Sequence, residues 1–244
     1  MVTLCLDFGN TAKKAALFDG DIFREQFYLT DDSEETIRSL VETFRPQASI
    51  LSSVIVHNPA VESILQENGH FHLLTASTKL NFISPVGNPA SIGADRLALC
   101  AAAVHYFPEK NNLIIGLGSC ITYNFINTKH QFLGGAIAPG MDMRFKSMHE
   151  HTAKLPLATA DFSFPLIGYD TATNLQSGVL YGMVHEIDGF IQQYQNRYGN
   201  FNAVLTGGNS AFFAGQLKCK IFANNHFLFK GLYALSKINF QNTA

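Results

Sequence analysis

The sequence predicts an α/β protein made of two copies of one strand-rich unit, and three observations carry that prediction. A short apolar strand runs into a glycine turn twice, as Thr3-Leu4-Cys5-Leu6 into Asp7-Phe8-Gly9-Asn10 and as Leu113-Ile114-Ile115 into Gly116-Leu117-Gly118-Ser119. Each turn leads into an alternating strand, then a second turn at Asp19-Gly20 or at Asn127-Thr128-Lys129, then a third strand, so the two segments keep one register. Helical periodicity then alternates with short apolar runs, and the first half reads β-β-β-α-β-α-β.

Taken in order, Ile22–Leu29 is the third strand, and from Asp32 the pattern becomes helical. Asp32 is placed to cap with Glu35 three residues on, and Ile37, Leu40, Val41 and Phe44 recur at i, i+3, i+4 and i+7. Ser49–Val56 reads as a buried strand, Asn58-Pro59 as a helix start with proline in the first position, and Phe71–Leu74 as another strand. Asn81–Ser91 carries Pro85, Gly87, Asn88 and Pro89 and is a loop, followed by an alanine-rich helix over Ala94–Phe107. In the second half Ile121–Ile126 and Phe132–Ile137 are strands, and helices are expected over Met141–His151, Thr171–Tyr198, Asn209–Leu217 and Lys230–Asn239, with a strand Ala203–Thr206 ending at Gly207-Gly208. Two domains are expected, 1–110 and 111–244, facing each other across a cleft.

The chain has 244 residues, enough for one large domain or two small ones. Apolar residues make up 47% and charged residues 15%, against roughly 25% charged in an average soluble protein, which excludes intrinsic disorder. A net charge of −2 with no Lys/Arg block lacks the footprint of a nucleic-acid or anionic-membrane binder, and favours a small ligand. Met1–Leu6 is too short for a signal peptide, and no apolar run approaches the ~20 residues that span a bilayer, so a cytoplasmic protein is expected. Cys5, Cys100, Cys120 and Cys219 lie far apart without a CxxC pair, and read as buried thiols. His149 and His151 flank Glu150 without the i, i+4 spacing of a helical metal site, and read as a solvated helix end.

Asp7-Phe8-Gly9-Asn10-Thr11-Ala12-Lys13-Lys14 sits at a strand-to-hairpin turn. Gly9 lets a ligand approach the backbone, Asn10 and Thr11 offer donors to phosphate oxygens, and Asp7 could hold Mg²⁺ through its waters. Taken alone the stretch reads more readily as an ordinary tight turn; repetition at Gly118-Ser119 and at Thr206-Gly207-Gly208 shifts the reading toward phosphate binding. Gly93-Ala94-Asp95-Arg96 opens a helix where anions are favoured. Asp95 and Arg96 there read either as a capping carboxylate beside a solvated arginine, or as a general base beside a binder of transition-state charge.

At these residues the chain resembles the type III pantothenate kinases, which belong to the acetate and sugar kinase, heat-shock chaperone and actin superfamily. The family's D-x-G-N-T/S-x-x-K motif is matched by Asp7, Gly9, Asn10, Thr11 and Lys14, and its G-x-D-R motif by Gly93, Asp95 and Arg96 with Pro89 upstream. Its G-G-x-I-x-P-G run is matched by Gly134 to Gly140, followed by Arg144 and by Thr152-Ala153-Lys154-Leu155-Pro156. Further correspondences run through Thr171, Ser177-Gly178, Gly182, Thr206-Gly207-Gly208, Gly231-Leu232 and Asn239, so the resemblance spans essentially the whole chain.

The resemblance implies duplicated ribonuclease-H-like domains and ATP-dependent phosphorylation of pantothenate, the first step of coenzyme A biosynthesis. It implies a cytoplasmic homodimer using Mg²⁺ or another divalent metal and a monovalent cation, K⁺ or NH₄⁺. Asp7, Phe8, Gly9, Asn10, Thr11, Ala12, Lys13, Lys14 and Ser119 would bind ATP; Gly93, Ala94, Asp95, Arg96 and Thr171 would bind pantothenate; and Asp95 would accept the proton. Three positions depart from the family. Gly116 and Asn124 stand where the family has two acids, the first a ligand of the monovalent cation, and Val86 stands where it has a tyrosine. They leave a second expectation beside the active kinase, a weakened relative that binds nucleotide or pantothenate as a regulatory protein.

Overall fold

In the computed structural model, residues 1–85, 87 and 91–240 are described; Val86 and Pro89 lie outside them. The chain divides into two compact units.

The first unit contains residues 1–109, 126–134 and 226–240. Its sheet has the order β3-β2-β1-β4-β5, from strands β1 (Val2–Phe8), β2 (Lys13–Asp19), β3 (Ile22–Leu29), β4 (Ala48–Ser53) and β5 (His70–Leu73). Hairpins make β1, β2 and β3 antiparallel, whereas β4 runs parallel to β1. Helices α1 (Glu34–Phe44) and α2 (Ala60–Glu67) cover one face, where Leu4, Leu6 and Phe8 of β1 meet Ile37, Val41, Ile64 and Leu65 in a dry core. Helix α3 (Ala94–Tyr106) packs against β4 and against the C-terminal helix α7 (Phe227–Phe240), which also lies on β1, β4 and β5. The approach of α7 to α3 depends on Gly231: a Cβ there would sit 1.9 Å from the Ala98 carbonyl oxygen. Helix α7 therefore belongs with the first unit, in contrast to a single cut near residue 110, because its apolar side chains complete the first core rather than the second.

The second unit contains residues 110–125 and 135–225. The second sheet has the order β10-β9-β6-β7-β8, from β6 (Asn111–Leu117), β7 (Cys120–Ile126), β8 (Phe132–Pro139), β9 (Phe201–Gly207) and β10 (Phe222–Ala223). This repeats the first order strand for strand, so the duplication read from the turns holds at the level of topology. Helix α4 (Met141–Glu150), the long α5 (Thr171–Arg197) and the short α6 (Ser210–Ala214) complete the unit. Helix α5 covers the sheet with Tyr123 stacked on Phe190 and Phe125 packed against Tyr194 and Tyr198.

Local chemistry moves several boundaries. Ser33, not Asp32, caps α1 by accepting the Thr36 N–H; Asp32 instead accepts the Asn58 N–H at 2.8 Å. Strand β4 stops at Ser53 rather than Val56, because the Ser53 hydroxyl bonds to the Ile55 carbonyl at 2.9 Å and turns the chain. Pro59 takes the cap position of α2 instead of its first turn. Cys5 and Cys100 are buried, but Cys120 and Cys219 are partly exposed. His149 closes the end of α4 against the Leu155 carbonyl at 2.7 Å.

Candidate functional site

The first unit brings Asp7 and Asp95 together. Asp7 is the sixth residue of β1; register puts Ser52 of β4 beside it on one side and Lys14 of β2 on the other. The fully buried Ser52 hydroxyl lies 3.5 Å from Asp7 Oδ1. Burial raises the Asp7 carboxyl to about 7, the Asp95 charge pushes it the same way, and Lys14 and the Ser52 hydrogen bond oppose them. Asp95 occupies the first turn of α3, whose Gly93 cap supplies no side-chain hydrogen bond, so the carboxylate turns back onto the N–H groups of Asp95 and Arg96. A Cβ at position 93 would stand 2.6 Å from Asp95 Oδ1, so Gly93 leaves the space the carboxylate uses. Burial raises Asp95 as well, against the lowering effect of those hydrogen bonds and the Arg96 charge. The Arg96 guanidinium lies over the Phe132 ring at 5.6 Å.

The turn from β1 to β2 is closed by a Gly9 N–H to Ala12 carbonyl hydrogen bond at 3.0 Å, with Asn10 and Thr11 exposed. A Cβ at Gly9 would meet only the Ala12 oxygen, at 3.4 Å, so the turn's own packing leaves the approach to position 9 open. The two lysines separate by strand alternation. Lys14 faces Asp7, whereas Lys13 points to the opposite face, where its Nζ is 3.4 Å from Asp32. Phe8 is buried in the core and can contribute only its backbone.

A Mg²⁺ ion, which takes one or two carboxylates and keeps most of its waters, suits Asp7, a single carboxylate with the Ser52 hydroxyl beside it. Among the described residues no three His, Cys, Asp or Glu side chains cluster as an all-protein metal cage would require.

Ser119 and Thr171 lie in the second unit, Ser119 in the turn from β6 to β7 and Thr171 as the exposed first residue of α5. Gly140 explains part of the glycine-rich run: its N–H bonds to the Ser119 carbonyl at 3.0 Å, and a Cβ there would fall 2.3 Å from the Gly118 oxygen. Gly116 holds in β6 the place Asp7 holds in β1, with Thr206 of β9 beside it as Ser52 is beside Asp7. Asn124 is buried and donates its amide to the Ile114 carbonyl at 3.3 Å and to Thr122 Oγ1 at 3.2 Å. Neither residue supplies a carboxylate that could ligate a cation. Ser52 escapes sequence reasoning, because its link to Asp7 runs through a parallel pairing 45 residues away.

The type III pantothenate kinase family matches residues 3–193. A type III pantothenate kinase of Flavobacterium johnsoniae is 40% identical over 232 residues, covering 94% of this chain and 95% of its own. One from Christiangramia forsetii is 38% identical over 240 residues, covering 98% and 99%. Among solved structures, a Baf-family protein of Campylobacter jejuni superposes with a TM-score of 0.61 at 22% identity, covering 98% of this chain and 99% of its own. A glucokinase from an Antarctic psychrotroph gives 0.52 at 10% identity, covering 97% and 99%. These two likenesses bear on the fold alone, and they agree with an actin-like pair of α/β units. With a family match over most of its length and relatives this similar from end to end, the chain belongs to the type III pantothenate kinases.

Proposed function

We propose that the Gly9–Ala12 turn with Lys14 binds the phosphates of ATP, that Asp7 holds a divalent metal, and that Asp95 accepts the proton of the pantothenate hydroxyl. As a type III pantothenate kinase, the protein transfers the γ-phosphoryl group of ATP to pantothenate, giving 4'-phosphopantothenate at the start of coenzyme A biosynthesis. One observation carries the assignment of roles: two carboxylates from separate elements share one poorly hydrated place, where burial raises both.

The hydroxyl oxygen of pantothenate forms a bond to the γ-phosphorus as the bond to the ADP oxygen breaks, and the hydroxyl proton passes to Asp95. Asp95 is suited to this because it titrates above an ordinary aspartate yet is held by backbone N–H groups in one orientation. Lys14 and the donors of Asn10 and Thr11 offset charge on the phosphate oxygens, which is most of what phosphoryl transfer asks of a protein. A divalent metal on Asp7, when bound, adds positive charge beside those oxygens. Arg96 and the neighbouring Gly93 and Ala94 face the substrate side in this reading, with Ser119 on the nucleotide and Thr171 on pantothenate. Lys13 has a lesser part, because Asp32 already holds it.

The same reading includes a homodimer, supported by the exposed apolar residues Leu166, Ile167 and Tyr169 between α4 and α5. It includes a cytoplasmic location, supported by four unpaired cysteines. Among the described residues no helix is long and apolar enough to cross a membrane. Asp95→Asn tests the central role: turnover of ATP in the presence of pantothenate should fall by about 10²–10⁴-fold with ATP binding retained. Unchanged turnover would remove Asp95 from the mechanism.

A further inference from the structure

Residues 53–58, between β4 and α2, grip both legs of the Gly9–Ala12 turn. The Val54 N–H bonds to the Phe8 carbonyl at 3.0 Å, which holds the end of β1. Asp32 accepts the Asn58 N–H at 2.8 Å and pairs with Lys13 Nζ at 3.4 Å, which holds the start of β2. Between these two grips stands His57, its side chain 12% exposed. Its Nε2 is 3.0 Å from Glu62 Oε1 in the first turn of α2, and its Nδ1 is 3.1 Å from Ser53 Oγ at the end of β4. The ring meets Phe8 edge to face, with centroids 6.0 Å apart. A carboxylate only accepts hydrogen bonds, so Glu62 keeps a proton on Nε2 and fixes the ring plane, and Nδ1 shares the single Ser53 hydroxyl proton with the Ile55 carbonyl.

We propose that His57, oriented by Glu62, is a positioning residue for the phosphate-binding turn. The turn is closed by the Gly9–Ala12 hydrogen bond and carried on Phe8 and Lys13, so how firmly those two residues are held bears on its shape. His57 cross-links the end of β4 to α2 and packs on Phe8, which stiffens the strap that holds both legs. A turn held in its binding conformation before ATP arrives has less order to gain on binding, and affinity rises accordingly. The proposal rests on the reading that this turn holds ATP.

Steady-state kinetics of the full chain, with the KM values for ATP and for pantothenate measured separately, tests both. His57→Ala should raise the ATP KM about tenfold, the scale of one lost positioning hydrogen bond, and leave the pantothenate KM within about twofold. Glu62→Ala, on a partly exposed helix face, should move the ATP KM the same way by less, and it carries the test should His57→Ala not fold. His57→Gln, which keeps a donor toward Glu62, should recover part of the loss. An unchanged ATP KM in both alanine variants, or an equal rise in both KM values, would overturn the proposal. The Asn10→Ala, Thr11→Ala double variant separates the two readings. If it binds ATP normally, the turn is not the phosphate site; if it is impaired while the His57 and Glu62 variants are normal, only the positioning role fails.

Discussion

The turn after β1 and the turn after β6 occupy equivalent places in two sheets of one topology, yet they are built from different interactions. In the first, the sixth residue of the strand is Asp7, a poorly hydrated carboxylate flanked by Ser52 and Lys14 and facing the charge of Asp95. In the second, the same place is Gly116, and the turn is shaped by backbone contact, Gly140 lying against Gly118 and Ser119. One copy concentrates charge and the other removes it. A repeated fold thus fixes where a ligand group can be placed without fixing which group it is, and in this chain the two buried carboxylates fall to the first copy.

The largest expected effect comes from making the first turn resemble the second. Asp7→Asn should weaken Mg·ATP binding or raise the Mg²⁺ requirement by about one to two orders of magnitude, the range seen when support for a metal is lost, with little change in pantothenate affinity measured without nucleotide. Calorimetry with each ligand alone reads the difference, and the reverse pattern would mean that the two substrates' sides are exchanged. The same variant has an opposite effect on stability. The Asp7 pKa is raised from 3.8 to about 7 on folding, so between those values the folded state binds more protons than the unfolded one, and stability falls as pH rises through that window. Asparagine removes the titration. The ligand-free variant should melt several degrees higher than wild type near pH 7.5 and no higher near pH 4, and identical pH profiles of Tm would contradict the burial of this carboxylate.

How much of this contrast the sequence reveals follows from the range of the interactions involved. The Asp7 and Gly116 turns, strand β3 and the amphipathic face of α1 are local patterns with a period or a turn signal, and they stand where the sequence puts them. Strand β10, of two residues, has too little pattern to be read. Ser52 is invisible for a different reason, since nothing local marks a serine that will lie across a parallel pairing from Asp7. The membership of α7 is likewise tertiary: its apolar face tells that it is buried, and only the close approach at Gly231 tells against which core. The cap of α1 passes from Asp32 to Ser33 because Asp32 has the competing partners Asn58 and Lys13.

A smaller effect is expected where the second turn depends on backbone packing. Gly140→Ala sets a methyl group into the Gly118 and Ser119 carbonyls, which must move apart, at a cost of about 1–3 kcal/mol for a crowded site of this kind. The variant should melt lower and lose ATP affinity more than pantothenate affinity if Ser119 touches nucleotide. Lower stability with unchanged ATP binding would confine the Gly140 contact to the fold.

The smallest effect comes from making the second turn resemble the first. At Gly116 the strand end lacks the carboxylate that would offset a bound K⁺, and Asn124 has its amide turned to Ile114 and Thr122 within the sheet. With no carboxylate at this strand end to offset the ion's charge, K⁺ or NH₄⁺ should activate the wild-type protein weakly or not at all. Gly116→Asp restores the carboxylate beside Thr206, and K⁺ should then raise turnover by a few fold, provided the new acid is ionised. Burial will tend to raise its pKa as it does for Asp7, and neither Thr206 beside it nor any residue of β7 supplies a lysine charge to oppose this, so the activation should grow with pH. Strong K⁺ activation of the wild type would mean that backbone carbonyls serve as ligands in the second copy. The contrast between the two turns would then be one of ligand type, with a cation bound at both.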